Sequence, residues 1–327
     1  MVTCGGCQAN NFIPADLQPL ATLPCHKCGH PVMMPMPLRQ FELRSIIASG
    51  GMGTVYRAFD AALQREVAVK LMKPELLDDS EAMEAFYREA RAAAALNHTN
   101  IIHIYLFDQH ESHRYLVMEL ADSGSLDRRI ETEGRVPELD VLDIGIKVAS
   151  ALGTALKHNL LHRDIKPGNI LFNAESEPKL IDFGLAKKAE DGREYEATIW
   201  GTPYYVAPEK IRRQGEDSLS DLYSLGGTLY HALTGHVPFE APTVEEVVAA
   251  QVHTPLTPPS QIVPDITQPT SEAIVRAMAK DPRNRFQSYD EFIMALTAAR
   301  SQLLIQTFAQ QEADEGGGRS SKWWRRS

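Results

Sequence analysis

Between residues 162 and 169 the chain reads His162-Arg-Asp-Ile-Lys-Pro-Gly-Asn169, packing a carboxylate, an ammonium and an amide into one short polar segment. Asp164 could orient a hydroxyl and accept its proton, and Lys166 could neutralise charge on a moving phosphoryl group. Asn169 could ligate magnesium, and Asp182-Phe-Gly184 places a second hard oxygen ligand of the kind that ion prefers. Upstream, Gly50 and Gly53 lie in the turn Ser49-Gly-Gly-Met-Gly53, where a missing Cβ lets backbone N–H groups approach a phosphate. Lys70 closes the apolar run Glu66-Val-Ala-Val-Lys70. Taken singly, each feature has a bland reading: a hairpin turn, a solvated lysine, a polar loop. Phosphoryl transfer asks for cations on the phosphates, oxygen ligands for a metal and one group to orient the attacking hydroxyl. All three occur here, in order along the chain, and the chance of that combination by accident is small.

Positioning these groups requires strands first and helices later. Phe41–Ile47, Thr54–Ala58 and Glu66–Lys70 read as strands around the glycine turn, and Ile101–Phe107 and Arg114–Glu119 as two more. Good helix formers run from Ser80 to Leu96. Beyond residue 120 helices dominate: Val141, Ile144, Val148, Leu152 and Ala155 recur at spacings of three and four, giving one buried stripe. Thr243 with Glu246, and Ser288 with Glu291, have the spacing of a capping box. The order is that of an α+β chain with two segregated lobes.

Together these motifs resemble the eukaryotic-type protein kinases, particularly their bacterial serine/threonine branch, over about residues 40–300. The resemblance implies a two-lobed protein-kinase fold, with a β-rich N-lobe at about 40–120 and a helical C-lobe at about 121–300. It implies transfer of the γ-phosphoryl of Mg-ATP (or Mn-ATP) to Ser/Thr hydroxyls of protein substrates. Lys70 would hold the α- and β-phosphates and pair with Glu89, while Asp164 and Lys166 act at the reacting hydroxyl and γ-phosphate. Asn169 and Asp182 would hold the metal. Gly50, Gly53, Val55, Ala68, Met118, Glu119 and Ala121 would surround the nucleotide, the last two through backbone contacts to adenine. Gly201-Thr-Pro-Tyr-Tyr-Val-Ala-Pro-Glu209 resembles the close of an activation loop, with Thr202 lining the acceptor site, Glu209 paired with Arg285 and Asp221 bracing the catalytic loop. Arg163 before Asp164 goes with activation-loop phosphorylation, for which Thr198 is the foremost acceptor, ahead of Tyr195 and Thr202. One departure is that the glycine-rich turn begins with Ala48 where the family has glycine. A chain of this kind could instead act as a pseudokinase scaffold, although Lys70, Glu89, Asp164, Asn169 and Asp182 are all present.

All four cysteines fall in the first 28 residues, as Cys4-Gly-Gly-Cys7 and Cys25-His-Lys-Cys28. Two such knuckles suit a structural zinc ion and resemble a zinc ribbon; a redox dithiol or a disulfide pair fits less well, because no redox-type strand–helix context surrounds them. Residues 1–36 are therefore expected to be a zinc-ribbon-like module, with an adaptor role as the alternative to a kinase-centred function, ending in Pro31-Val-Met-Met-Pro-Met-Pro37 as an extended linker. Residues 301–327 are expected to be a helix end and a flexible tail from about Gln310; its Lys322-Trp-Trp-Arg-Arg326 could touch an anionic membrane but reads first as a free end. A net charge of -10 argues against nucleic acid as a partner. With no signal peptide and no apolar run of membrane-spanning length, the expected location is the cytoplasm.

Overall fold

The computed structural model describes residues 1–14, 16–183, 187–188 and 203–317. The first 123 residues hold β1 (Val2–Thr3), β2 (Asn10–Asn11), β3 (Thr22–Pro24), β4 (Pro31–Met33), β5 (Met36–Leu38), β6 (Phe41–Ser49), β7 (Gly53–Asp60), β8 (Arg65–Met72), α1 (Ser80–Ala94), β9 (Ile104–His110) and β10 (His113–Met118). There follow α2 (Leu126–Glu133), α3 (Glu138–Lys157), β11 (Leu160–Leu161), β12 (Ile170–Phe172), β13 (Pro178–Leu180) and β14 (Lys187–Lys188). The last elements are α4 (Pro208–Ile211), α5 (Ser218–Thr234), α6 (Val244–His253), α7 (Pro259–Ile262), α8 (Gln268–Ala277) and α9 (Tyr289–Gly317). They divide into two units: Met1–Ser123 with Phe172–Gly184, and Gly124–Leu171 with Leu185–Ser327.

The first unit is built on an antiparallel six-stranded sheet in the order β5-β6-β7-β8-β10-β9. Val67, Val69, Tyr56, Ala58, Phe41, Leu43, Tyr115 and Val117 bury one face. Met72 and Leu116 bury the other against Phe86 and Ala90 of α1. Because both faces are covered, β8 is apolar at consecutive positions, with Val67, Ala68 and Val69 all buried. Asp79 starts α1 by accepting from the backbone N–H groups of Glu81 (2.9 Å) and Ala82 (3.1 Å). The two later strands of this sheet begin at Ile104 and His113, not at Ile101 and Arg114. Ile101 instead makes an isolated parallel bridge to Leu180.

The expected linker Pro31–Pro37 is not a linker. Its first part, β4, pairs with β3 in register Leu23↔Val32, and its second, β5, forms an edge of the six-stranded sheet in register Met36↔Leu43 and Leu38↔Phe41. Met33, Met36 and Leu38 are buried in the same core as Val67 and Tyr115. The reason is periodicity: Met36 and Leu38 point inward while Pro37 points out, and an edge strand tolerates a residue without an N–H.

In the second unit, α3 buries all five residues of the anticipated stripe. It packs closely on α5 and α9, for a Cβ on Gly145 would lie 2.7 Å from Leu229 and 2.9 Å from Leu296. Helix α5 opens on a reciprocal cap between Asp217 and Ser220 and ends at Gly235 in the left-handed region. Thr243 caps α6, and Ser288 caps α9 while Glu291 reaches back to the N–H of Gln287. Helix α9 continues to Gly317, past the expected break at Gln310, because Gln, Glu, Ala and Asp follow with no proline to stop it. The Lys322–Arg326 segment lies outside the described residues. Among the described residues no helix is long and apolar enough to cross a membrane.

Candidate active site

The segment His162–Asn169 follows β11 and is held from below by α5. Asp221, buried on that helix, accepts from the backbone N–H groups of His162 and Arg163, each at 2.7 Å. Burial pushes the Asp221 carboxyl above its ordinary range, against the opposing pull of those two bonds and of His162. The bonds hold Arg163 at φ 69°, a left-handed conformation unusual for a side-chain-bearing residue. Asp164 follows. Its Oδ2 accepts from Lys166 Nζ at 2.7 Å and from Asn169 Nδ2 at 3.0 Å, and Asn169 Nδ2 also reaches the Asp164 carbonyl at 2.7 Å. Those donations orient the Asn169 amide so that its side-chain oxygen faces away from Asp164. The structure thus gathers Asp164, Lys166 and Asn169, as the sequence pattern anticipates, and adds Lys210, whose Nζ donates to the Arg163 carbonyl at 3.0 Å.

In the first unit, register aligns a second set of candidates. Val55 lies opposite Lys70, and Ala68 lies opposite Met118. Since Ala68 and Lys70 are two apart on β8, all four project from one face of the sheet. Lys70 Nζ lies 5.8 Å from the centre of the Phe86 ring on α1. The side chain of Glu89, its expected partner, lies outside the described residues, as do Tyr195, Thr198 and Thr202. Glu119 is held by both its side chain and its backbone: its carboxylate meets Lys179 Nζ at 2.5 Å, and its N–H donates to the His103 carbonyl at 2.8 Å. Lys179 is nearly buried, so this pair anchors β13 beside residues 119–121, with Ala121 buried next to it. Asp182 comes just after β13, exposed and at φ 67°, with fully buried Phe183 as its anchor.

Gly50 and Gly53 of the turn are not equivalent. A Cβ on Gly53 would sit 2.5 Å from the Leu71 carbonyl oxygen, whereas one on Gly50 would meet nothing closer than 3.8 Å. Gly53→Ala must therefore push two strands apart and is expected to cost about 1–3 kcal/mol. Gly50→Ala should stay within about 0.5 kcal/mol of wild type, and denaturant unfolding of the two variants checks the contrast.

Sequence reading missed the clamp beneath residues 203–205. Gln251 on α6, fully buried, donates from Nε2 to the carbonyls of Pro203 (3.2 Å) and Tyr204 (2.5 Å) and accepts from the Tyr223 hydroxyl (2.5 Å). A glutamine on a helix carries no spacing signal. The expected Glu209–Arg285 pair is formed, with two bonds of 2.7 Å.

At the N-terminus, Cys4 and Cys28 sulfurs lie 3.6 Å apart and those of Cys7 and Cys25 3.7 Å apart, and all four lie within 4.8 Å of one another. Sulfurs at ~2.3 Å from a tetrahedral zinc stand about 3.8 Å apart, so this donor set fits that ion. The Lys27 N–H points at the Cys25 sulfur (3.4 Å). Burial disfavours the Cys25 thiolate, but this N–H, that of Cys28 and the Asn11 side chain prevail and bring its pKa down to about 6.

A β-sheet unit, a helical unit and a braced Asp164–Lys166–Asn169 loop define a protein kinase, and a family model described as the protein kinase domain matches residues 41–296. The chain belongs to that family and has its α+β, two-lobed fold. It is 36% identical over 255 residues to a probable serine/threonine-protein kinase of Clostridium perfringens, covering 78% of this chain and 37% of the relative. It is 36% identical over 258 residues to the serine/threonine-protein kinase PknB of Mycobacterium leprae, covering 77% of this chain and 42% of the relative. A probable serine/threonine-protein kinase of Clostridium acetobutylicum is 32% identical over 263 residues, covering 80% and 40%. The chain thus spans about two fifths of the length of these relatives.

Proposed function

We propose that the chain is a serine/threonine protein kinase that moves the γ-phosphoryl group of ATP to Ser or Thr hydroxyls of other proteins. The observation that carries this reading is the convergence of Lys166 and Asn169 on the Asp164 carboxylate, over a backbone held by Asp221. Asp164 orients the acceptor hydroxyl and takes its proton, and Lys166 shifts from Asp164 to the charge on the γ-phosphoryl. Lys70 steadies the α- and β-phosphates from the sheet face it shares with Val55, Ala68 and Met118, beside adenine contacts from the backbone of residues 119–121. Glu89 is the partner assigned to Lys70. Asn169 and Asp182 hold magnesium or manganese, which when bound neutralises phosphate charge. Thr202 belongs to the acceptor site, and phosphate on Thr198 raises activity through Arg163. Residues 40–300 form the catalytic domain. The test is transfer from γ-labelled Mg-ATP followed by phosphoamino-acid analysis: label on serine and threonine is expected, while no transfer, or mainly phosphotyrosine, overturns the reading.

The cysteine cluster is assigned to structural zinc, ligated by Cys4, Cys7, Cys25 and Cys28. Because Leu20, Met33 and Met36 pack into the core of the six-stranded sheet, metal binding also steadies that sheet. About one zinc per chain is expected, with a melting temperature that falls on chelation. Near-zero zinc in protein purified without chelator refutes it.

A further inference from the structure

Arg163 is the residue through which an activation-loop phosphate would act, and it already faces an anion. Glu216, in the loop just before α5, places Oε2 3.3 Å from Arg163 Nε, and its Oε1 accepts from Lys210 Nζ at 2.7 Å. Side-chain exposures of 13% for Arg163 and 19% for Glu216 remove the pair from most solvent screening. The contact is one of charge, not of alignment, since Arg163 Nε is buried and makes no hydrogen bond among the described residues.

Lys210 joins the parts. The same ammonium that holds Glu216 donates to the Arg163 carbonyl at 3.0 Å, while Asp221 takes the Arg163 N–H at 2.7 Å. The N–H, the carbonyl and the guanidinium of Arg163 are thus each tied to α4, to α5 or to the loop between them. Asp164 is the next residue, so whatever fixes Arg163 at its left-handed φ fixes the direction in which the Asp164 carboxylate leaves the chain.

We infer that Glu216 is a positioning residue that supplies Arg163 with a resident carboxylate, so that the unphosphorylated chain keeps a largely ordered catalytic loop. Phosphate on Thr198 then exchanges one anion for a stronger one and adds modestly to activity, instead of switching it on. The inference rests on the kinase reading above and concerns its regulation. Thr198 enters it as an acceptor only.

The experiment uses full-length chain, dephosphorylated and checked by intact mass, with transfer kinetics and denaturant unfolding measured side by side. Glu216→Gln should lower kcat by about 10- to 100-fold with the KM for ATP nearly unchanged, and Glu216→Asp should recover most of the loss. Thr198→Ala should change kcat by less than about threefold in the wild-type background and by much more beside Glu216→Gln, the non-additivity expected of two anions serving one arginine. The unfolding of Glu216→Gln, Arg163→Gln and the double variant should show coupling between the two positions. Unchanged kcat in Glu216→Gln, equal effects of Thr198→Ala in both backgrounds, or strictly additive unfolding would each overturn the inference. A Glu216→Gln chain that melts before assay is judged by Glu216→Asp and by the Thr198 contrast in it. Absence of transfer by wild type in either phosphorylation state would instead sink the kinase reading, distinguishable because no variant contrast then exists.

Discussion

Asp164→Asn is expected to lower kcat by about 10²–10⁴-fold while leaving the KM for ATP within a small factor. The substitution keeps the shape and one acceptor oxygen, so Lys166 and Asn169, which both donate to Oδ2, can retain one of their bonds. What is lost is the negative charge and the atom that takes the hydroxyl proton. Lys166 then has no charged partner in the resting loop. Asp164 is about one-third exposed, so the fold should hardly register the change. Melting and kcat therefore separate: a melting temperature close to wild type with transfer nearly abolished is the expected pair of results. Activity within tenfold of wild type would mean that another group orients the hydroxyl.

Local chemistry in this chain is legible in its sequence, and pairing over distance is not. The order His162 to Asn169 already places a carboxylate, an ammonium and an amide within reach of one another, and the structure brings them together on one oxygen. The α3 stripe announces itself because Val141 to Ala155 repeat at helical spacing, and five buried positions follow. Met36 and Leu38 gave no such signal. Flanked by prolines, they read as a spacer, and only the uncovered apolar face of β6 and its neighbours, assembled from residues far along the chain, turns them into an edge strand. Lys179 and Glu119 are 60 apart, and Glu216 and Arg163 are 53 apart, as their numbers show. Each is an ordinary surface-type charge until the fold removes it from water. Gln251 is a further case: its value comes from three neighbours, Pro203, Tyr204 and Tyr223, that no helical or strand period connects. Ala48, which departs from the glycine of the family pattern, sits exposed in β6 opposite Val55, where a methyl group is readily housed.

Removal of Arg285 should be the most damaging single change to the helical unit. Its side chain is fully buried and bonded on every nitrogen: Nη1 and Nη2 to the two oxygens of Glu209 at 2.7 Å each, Nη1 to the Leu219 carbonyl, and Nε to the Ala279 carbonyl. Ser220 adds a third donor to Glu209 at 2.7 Å. Burial alone would raise the Glu209 carboxyl, but the guanidinium and the hydroxyl outweigh it and hold the group below its ordinary range. Arg285→Ala strands a buried carboxylate and is expected to cost about 3–5 kcal/mol. For a unit of this size that corresponds to a fall in melting temperature of roughly 6–20 °C. Arg285→Lys should recover only part, because an ammonium cannot serve two oxygens and two carbonyls from a planar fork. The sign of the pH dependence gives a second check. In wild type, a carboxyl held below its unfolded value contributes fully above the ordinary carboxylate range and loses that contribution as pH falls through its folded pKa. In Arg285→Ala the same carboxyl has only burial acting strongly upon it, so protonation relieves it. The gap in stability between the two proteins should therefore narrow on acidification. A gap that widens at low pH would mean that the Glu209 charge is not what Arg285 is there to balance, and replacing both residues by methionine, expected to restore much of the loss, would fail to do so.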